Sequence, residues 1–328
     1  MPQAHVWSST KLHPDALAAL EGLANVTIST VGERNGWYAE AADAVAIIIS
    51  GTLYVTGEVM DRLGPTLHMI TRTGIGYDRI DLDAATERGI MVLNTPDGPT
   101  ESTAEHAIAL MLNMCKQVMV TDRLLRSGQE FPSLRELQPG LELRGATLGL
   151  VGLGRIGGRV AEIALVLGMK VLAYDPFIAA ERAQSMGVTL VASLEEMLPQ
   201  LNVVSLHSPA MPETHHIINA KTLALLPRGS YLINVARGTL VDEAALLAAL
   251  QSGQLTAAAI DVFDPEPPSA HNPLFQQPNT VCTPHIASFT TAGLLRMQVM
   301  ACQQVAMVLH GERPTYLVNA QVWEKRRK

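Results

Sequence analysis

The sequence predicts an α/β protein of two doubly wound parallel-sheet domains. Three observations carry this. At 328 residues the chain is too long for one ordinary core. Short apolar runs alternate with helical patterns almost throughout. Those runs are continuous rather than alternating, as in strands covered on both faces. Strands interleaved with helices imply right-handed parallel crossovers.

The elements follow in order. Residues 43–50, 67–72 and 90–93 read as a first series of strands. Residues 146–151, 170–174, 202–206, 230–235, 257–262 and 280–283 read as a second. Between the series, one long helical pattern runs from Thr100 to about Arg126. Glu101, Ser102 and Thr103 offer capping chemistry at its start, and Ser127-Gly128 stops it. Ala104, Ala107, Ile108, Met111, Leu112 and Cys115 recur along it at helical spacing. That apolar surplus suits core packing and a subunit contact equally.

Composition narrows the function. Hydrophobic residues at 48% and charged residues at 17% fit a folded globular chain and exclude a disordered one. The net charge is −7, and the Lys/Arg run is confined to residues 325–328, read as a solvated terminus. No nucleic-acid partner is expected. Cys115, Cys282 and Cys302 are widely spaced and no pair has metal-ligand spacing, so no metal is expected. A reducing cytoplasm is the natural compartment for such thiols. The first residues lack the pattern of a signal peptide, and no stretch of about twenty residues reads as a membrane span.

Residues 146–157 place an apolar strand directly before Gly152-Leu-Gly154-Arg155-Ile156-Gly157, with a helical pattern behind it. In such a GxGxxG turn Gly152 makes the tight bend, Gly154 lets the backbone approach a pyrophosphate, and Gly157 lets helix and strand pack closely. The helix N-terminus presents free N–H groups to the phosphates. The next strand ends at Asp175, about twenty residues after the glycines. A carboxylate there accepts from ribose hydroxyls and repels a 2′-phosphate, and Pro176, Phe177 and Ile178 supply no cation for one. The expected cofactor is therefore NAD rather than NADP.

Three further polar positions sit at or just beyond strand ends, where open α/β sheets place ligands. Asn234-Val-Ala-Arg237-Gly238 can point a guanidinium fork at a carboxylate. Asp261-Val-Phe-Asp264-Pro265-Glu266-Pro267-Pro268 holds Glu266 in a proline-stiffened loop. Thr283-Pro284-His285-Ile286-Ala287-Ser288 brings a histidine out of an apolar strand. Reduction of a 2-keto acid needs a cation for the carboxylate, a proton donor for the carbonyl oxygen and a group to tune that donor. Arg237, His285 and Glu266 supply the three roles.

On these segments, together with residues 73–78, Asn94-Thr-Pro-Asp-Gly98 and Thr103-Ala-Glu-His106, the chain resembles the D-isomer-specific 2-hydroxyacid dehydrogenases. That family includes glyoxylate/hydroxypyruvate reductases and phosphoglycerate dehydrogenases. The resemblance implies two Rossmann/flavodoxin-like domains with an active-site cleft between them. Residues 1–99 plus 289–328 would be the substrate (lid) domain and residues 100–288 the NAD-binding domain. It implies that Arg237 binds the substrate carboxylate and carbonyl, that Glu266 hydrogen-bonds His285, and that His285 is the acid/base. The amides of Ile75 and Gly76 would cradle the carboxylate. Arg155 and Ile156 would lie at the pyrophosphate and Asp261 near the nicotinamide amide. Thr103, His207, Pro209, Val235 and Ser288 would add cofactor contacts. The implied activity is hydride transfer between nicotinamide and a small D-2-hydroxy or 2-keto acid by a homodimer.

Two departures from the family pattern stand out. Phe131 occupies the region where many relatives carry a Trp used in dimer contacts. The serine-sensing regulatory domain of some phosphoglycerate dehydrogenases is not expected, because the sequence stops soon after Leu317-Val-Asn-Ala320. An alternative is an NAD(H)-sensing corepressor-like scaffold on the same fold; turnover of 2-keto acids with NADH discriminates the two. Resemblance to formate dehydrogenase would place Gln at position 266, and Glu266 favours an alcohol/ketone reaction instead. The acid's side chain stays open. Ser50, Gly51, Thr52, Leu53 and Tyr54 are candidates to line its pocket, and Arg72 suits either a phosphate or a structural ion pair.

Overall fold

The structure is a computed structural model, and it describes residues 3–31, 36–51, 53–128 and 139–327. Thr52, Phe131 and Lys328, which figured in the sequence expectations, lie outside the described residues. The chain divides into two units, residues 1–99 with 289–328 and residues 100–288.

The first unit holds a five-stranded parallel sheet of β1 (Ala4–Ser8), β2 (Ala24–Ile28), β3 (Ala46–Ile49), β4 (Met69–Arg72) and β5 (Met91–Leu93). Its order is β2-β1-β3-β4-β5, a doubly wound arrangement that reverses between β1 and β3. Strand β3 is Ala-Ile-Ile-Ile and is buried along its whole length, which is why it reads as an unbroken apolar run. Trp7 on β1 is fully buried and stacks on Trp37 with ring centroids 5.0 Å apart.

The last part of the chain completes this unit. Helix Thr291–Leu309 buries Met297, Ala301, Cys302 and Val305. By length and composition alone it is also apolar enough to cross a membrane. After it the chain runs along the open edge of β5. Val318 N donates to Val92 O at 2.8 Å, Val92 N donates to the buried Asn319 Oδ1 at 2.8 Å, and Leu317 bridges Leu93 antiparallel. An unpaired strand edge is thereby covered.

The second unit holds a seven-stranded parallel sheet of β6 (Thr147–Val151), β7 (Lys170–Tyr174), β8 (Thr189–Leu190), β9 (Val203–Leu206), β10 (Ser230–Asn234), β11 (Leu255–Ile260) and β12 (Thr280–Cys282). Its order is β12-β11-β10-β9-β6-β7-β8. The strand order reverses between β6 and β9, the switch point at which such sheets bind ligands.

The structure corrects the single long helix. It runs as Thr100–Cys115 and then Val118–Arg126. Gln117 between them is left-handed at φ 56°. The break has a partner, because Leu141 N donates to Cys115 O at 2.9 Å and takes the carbonyl that a continuing helix would use. Glu101 does not cap; its carboxylate pairs with Arg159 Nε at 2.9 Å. Strands β1, β2 and β8 are additions to the strands expected from the sequence.

Candidate active site

Six candidate positions of the second unit follow six of its seven strands. Gly152 follows β6, Asp175 follows β7, His207 follows β9, Arg237 follows β10, Asp261 follows β11 and His285 follows β12. Parallel strands put all six at one edge of the sheet.

The glycine turn is crowded at two of its three glycines. Gly152 lies at φ +96°, and a Cβ on it would sit 2.9 Å from the His207 backbone. A Cβ on Gly157 would fall 2.2 Å from Gly152 O, so only glycine lets the helix start so close to the strand. Gly154 differs: a Cβ there would meet open space. It is the N-cap of helix Arg155–Val166 and provides no side-chain cap to the first turn. Asp175 braces the turn, since its Oδ2 accepts from Leu153 N at 2.8 Å and its Oδ1 from Phe177 N at 2.9 Å.

A dinucleotide fits these residues. The uncapped helix start suits a pyrophosphate, and the space above Gly154 admits it. Ser208, next to His207, has a buried hydroxyl with no hydrogen-bond partner among the described residues, as expected of a group that meets a ligand. Sequence reasoning missed Ser208 because a lone Ser in a polar loop carries no pattern. Val235 and Thr103 are buried, His207 and Ser288 are half-buried, and Pro209 is exposed.

His207 Nε2 lies 2.9 Å from Ser205 Oγ. Burial lowers its imidazole from 6.5 to about 4, so the folded protein holds it neutral. The unfolded chain takes up a proton at this site below pH 6.5 that the folded chain refuses until about pH 4. Stability is therefore full above pH 6.5 and falls as pH drops through this window, by up to about 3 kcal/mol from this group. His68, lowered by burial and by Arg327, acts in the same direction. Urea unfolding of the cofactor-free protein at pH 7.5 and 4.5 should show a smaller acid loss in His207→Gln than in the unsubstituted protein. An equal loss in both refutes the assignment.

The catalytic candidates fall into one connected region. His285 Nδ1 lies 2.8 Å from Glu266 Oε1, with the two side chains 42% and 22% exposed. Glu266 takes the Nδ1 side of the ring and leaves Nε2 on the side away from it. Arg237 stands on a turn shaped by the buried Asn234. Asn234 Nδ2 donates to Arg237 O at 2.8 Å, and Asn234 Oδ1 accepts from Ala236 N at 3.0 Å. Arg237 Nη1 donates to Ala236 O at 2.6 Å. The next residue, Gly238, lies so close to Phe263 that a Cβ would sit 2.0 Å from its carbonyl carbon. The arginine turn thus packs on the segment leading to Glu266. That segment is pinned by Glu243, which accepts from Asp264 N at 3.3 Å and from Asn272 Nδ2 at 2.8 Å. Glu243 also escaped sequence reasoning, because a Glu in the first turn of a helix is explained by the helix dipole alone.

Asp261 has no exposed surface. Its Oδ1 accepts from Thr283 Oγ1 at 2.6 Å and Ile286 N at 2.9 Å, and its Oδ2 from Ala287 N at 3.0 Å. Burial works to raise this carboxyl, but His106, Thr283 and the two amides outweigh it and hold it below the usual range.

In the first unit, Ile75 and Gly76 follow β4 on a half-buried loop. Gly74 N donates to Thr95 Oγ1 at 2.7 Å and Asn94 Nδ2 to Ile75 O at 2.8 Å. Neither the Ile75 nor the Gly76 amide has an acceptor among the described residues. Arg72 Nη1 donates to Thr73 O at 2.7 Å, and Tyr54 lies under the Arg79 guanidinium, 4.9 Å from its ring centroid.

A doubly wound sheet with a glycine turn at its switch point is the architecture of a dinucleotide-binding domain, and here a histidine–carboxylate pair stands on the same strand edge. Residues 108–287 match the family model of the D-isomer specific 2-hydroxyacid dehydrogenase NAD binding domain. The chain is 38% identical over 308 residues to a D-3-phosphoglycerate dehydrogenase from Methanocaldococcus jannaschii, covering 94% of this chain and 58% of that one. It spans little more than half the length of the curated relatives it matches. Among solved structures it superposes on the TT0316 protein from Thermus thermophilus with a TM-score of 0.86 at 38% identity, covering 96% of this chain and 99% of that one. An NADPH-dependent glyoxylate/hydroxypyruvate reductase from Sinorhizobium meliloti gives 0.83 at 30% identity, with 99% of each chain covered. The chain belongs to the D-isomer specific 2-hydroxyacid dehydrogenase family.

Proposed function

We propose that this protein is an NAD-dependent oxidoreductase that interconverts a small D-2-hydroxy acid and its 2-keto acid, of the glyoxylate, hydroxypyruvate or phosphohydroxypyruvate class. The observation that carries the reading is the His285–Glu266 pair at 2.8 Å, at the ligand-binding edge of the NAD-binding sheet and beside the Arg237 turn. Bound NAD would supply or accept the hydride. Thr103, Gly152, Gly154, Arg155, Ile156, Gly157, Asp175, His207, Pro209, Val235 and Ser288 are proposed to hold it. Asp261 contributes by fixing the turn on which His285 and Ser288 stand.

The chain's own residues would do the rest. Arg237 pairs its guanidinium fork with the substrate carboxylate and reaches the carbonyl oxygen. The amides of Ile75 and Gly76, which have no acceptor among the described residues, are proposed as further donors for a carboxylate. His285 gives a proton from Nε2 to the carbonyl oxygen in reduction and takes it back in oxidation. Glu266, bound to Nδ1, keeps the ring from turning away and balances the charge that the ring gains. The two backbone amides on the Asp175 carboxylate fix a negative charge where a 2′-phosphate would lie, which favours NAD over NADP.

We read the protein further as a cytoplasmic homodimer. Helix Val118–Arg126 supports a subunit contact, since it buries none of its residues and leaves Val118 and Leu125 more than half exposed.

A panel of NADH and NADPH against a dozen 2-keto acids, with kcat/KM for each, tests the proposal. At least one small keto acid should turn over with NADH, with a lower kcat/KM for NADPH, and its product should be the D isomer. NADH binding without turnover of any keto acid would sink the enzymatic reading in favour of a sensing role.

A further inference from the structure

Helix Thr100–Cys115 carries a polar side chain that the proposed reaction leaves unused. His106 Nε2 lies 3.2 Å from Thr283 Oγ1 and 3.6 Å from Asp261 Oδ1. Thr283 Oγ1 lies 2.6 Å from that same Asp261 oxygen. A carboxylate only accepts, so the Thr283 hydroxyl donates to Asp261 and its oxygen accepts from His106 Nε2–H. The direction of the chain of hydrogen bonds and the tautomer of His106 are both set by that requirement.

The far end of this chain is the turn that carries the proposed acid/base. His285 is left-handed at φ 55°, a conformation uncommon outside glycine. Its amide donates to Asp261 O at 2.7 Å, while the amides of the next two residues donate to the Asp261 carboxylate. Asp261 therefore grips the turn with its backbone and its side chain at once. A non-glycine residue stays in such a conformation only when its surroundings over-determine it.

We propose that His106 is a positioning residue, which acts through Thr283 and Asp261 to hold the left-handed turn that aims His285. The proposal rests on the assignment of His285 as acid/base given above. His106 itself touches neither Glu266 nor His285 among the contacts of the described residues. Without His106 the Thr283 oxygen loses its donor and Asp261 loses a nearby N–H that helps hold it charged, so the grip of Thr283 and Asp261 on the turn loosens. The turn then relaxes and the imidazole is presented off line. Misplacement of a catalytic group by 1 Å can cost about a hundredfold in rate, and a smaller relaxation costs less.

The test compares His106→Leu, which keeps the volume but has no donor, with His106→Gln, whose amide offers an N–H near the position of Nε2. Four quantities are read: kcat and KM on the best keto acid, the melting temperature, and the chemical shift of the His285 Cε1–H proton at one fixed pH in the cofactor-free protein. His106→Leu should lower kcat by about tenfold with KM within twofold and should move the His285 signal. His106→Gln should recover most of kcat and the original signal position. Unchanged kcat and an unmoved His285 signal in the Leu variant overturn the proposal. Equal losses in Leu and Gln, matched by equal falls in melting temperature, overturn it in favour of plain packing. If the unsubstituted protein turns over no keto acid, the oxidoreductase reading fails, and the His285 signal still decides the role of His106.

Discussion

His285→Ala is expected to lower kcat for the best 2-keto acid by roughly 100-fold or more, the scale of losing a positioned general acid. NADH affinity should hold, because the ring is 42% exposed and bonded to Glu266 rather than to the glycine turn. The backbone complicates that variant. At φ 55° the residue sits in the left-handed region, which His and Asn visit more readily than Ala, so part of any loss would come from the turn itself. His285→Asn separates the two effects, since Asn tolerates the left-handed region and cannot serve as the acid. Both variants should lose turnover to a similar degree, and Asn should melt closer to the unsubstituted protein. Either variant working at the original rate removes His285 from the chemistry.

Arg237→Ala is expected to lower kcat/KM by roughly 30- to 150-fold, as loss of a charge-assisted pair worth about 2–3 kcal/mol requires. The loss should appear in KM for the keto acid as well as in kcat, because the carboxylate is held in ground and transition states alike. Arg237→Lys should restore little, since an ammonium keeps the charge and loses the fork. The Asn234 bonds run to the backbone of Arg237 and Ala236, so the turn should survive both substitutions. A melting temperature within a few degrees of the original would confirm that. A kcat/KM within twofold of the original in Arg237→Ala contradicts the assignment.

Much of this fold is legible in the sequence because burial on two faces leaves a plain signature. Strand β3 is four apolar residues in a row and β11 is Leu-Thr-Ala-Ala-Ala-Ile. The strands that escaped notice lack that signature for physical reasons. Strand β2 stands at the edge of its sheet with two of its last three positions exposed, so Asn25, Thr27 and Ile28 mix in no clear period. Strand β8 is only Thr189 and Leu190 at the opposite edge of the other sheet. The helix break at Gln117 escaped notice because its cause is remote, a carbonyl taken by Leu141.

The site divides along the same line. Gly152, Gly157 and Asp175 are legible because each answers a local demand of backbone or packing. The meeting of Glu266 with His285 rests on the loop between β11 and β12, and resemblance rather than spacing pointed to it. The supports are less visible still. Asn234, Glu243 and His106 each act on a residue far along the chain or through its backbone, and nothing in a linear pattern marks such a partner.

The covering of β5 by residues 316–319 bears on how the protein is made. A ribosome delivers residues 100–288 as one uninterrupted stretch, so the seven-stranded sheet can close as soon as β12 has emerged. The other unit must wait with β5 bare, because Asn319 is born 227 positions after the Val92 amide it receives. During that delay Met91–Leu93 offers an uncovered strand edge to any neighbouring nascent chain. Synthesis halted before residue 316 would leave that template permanently open.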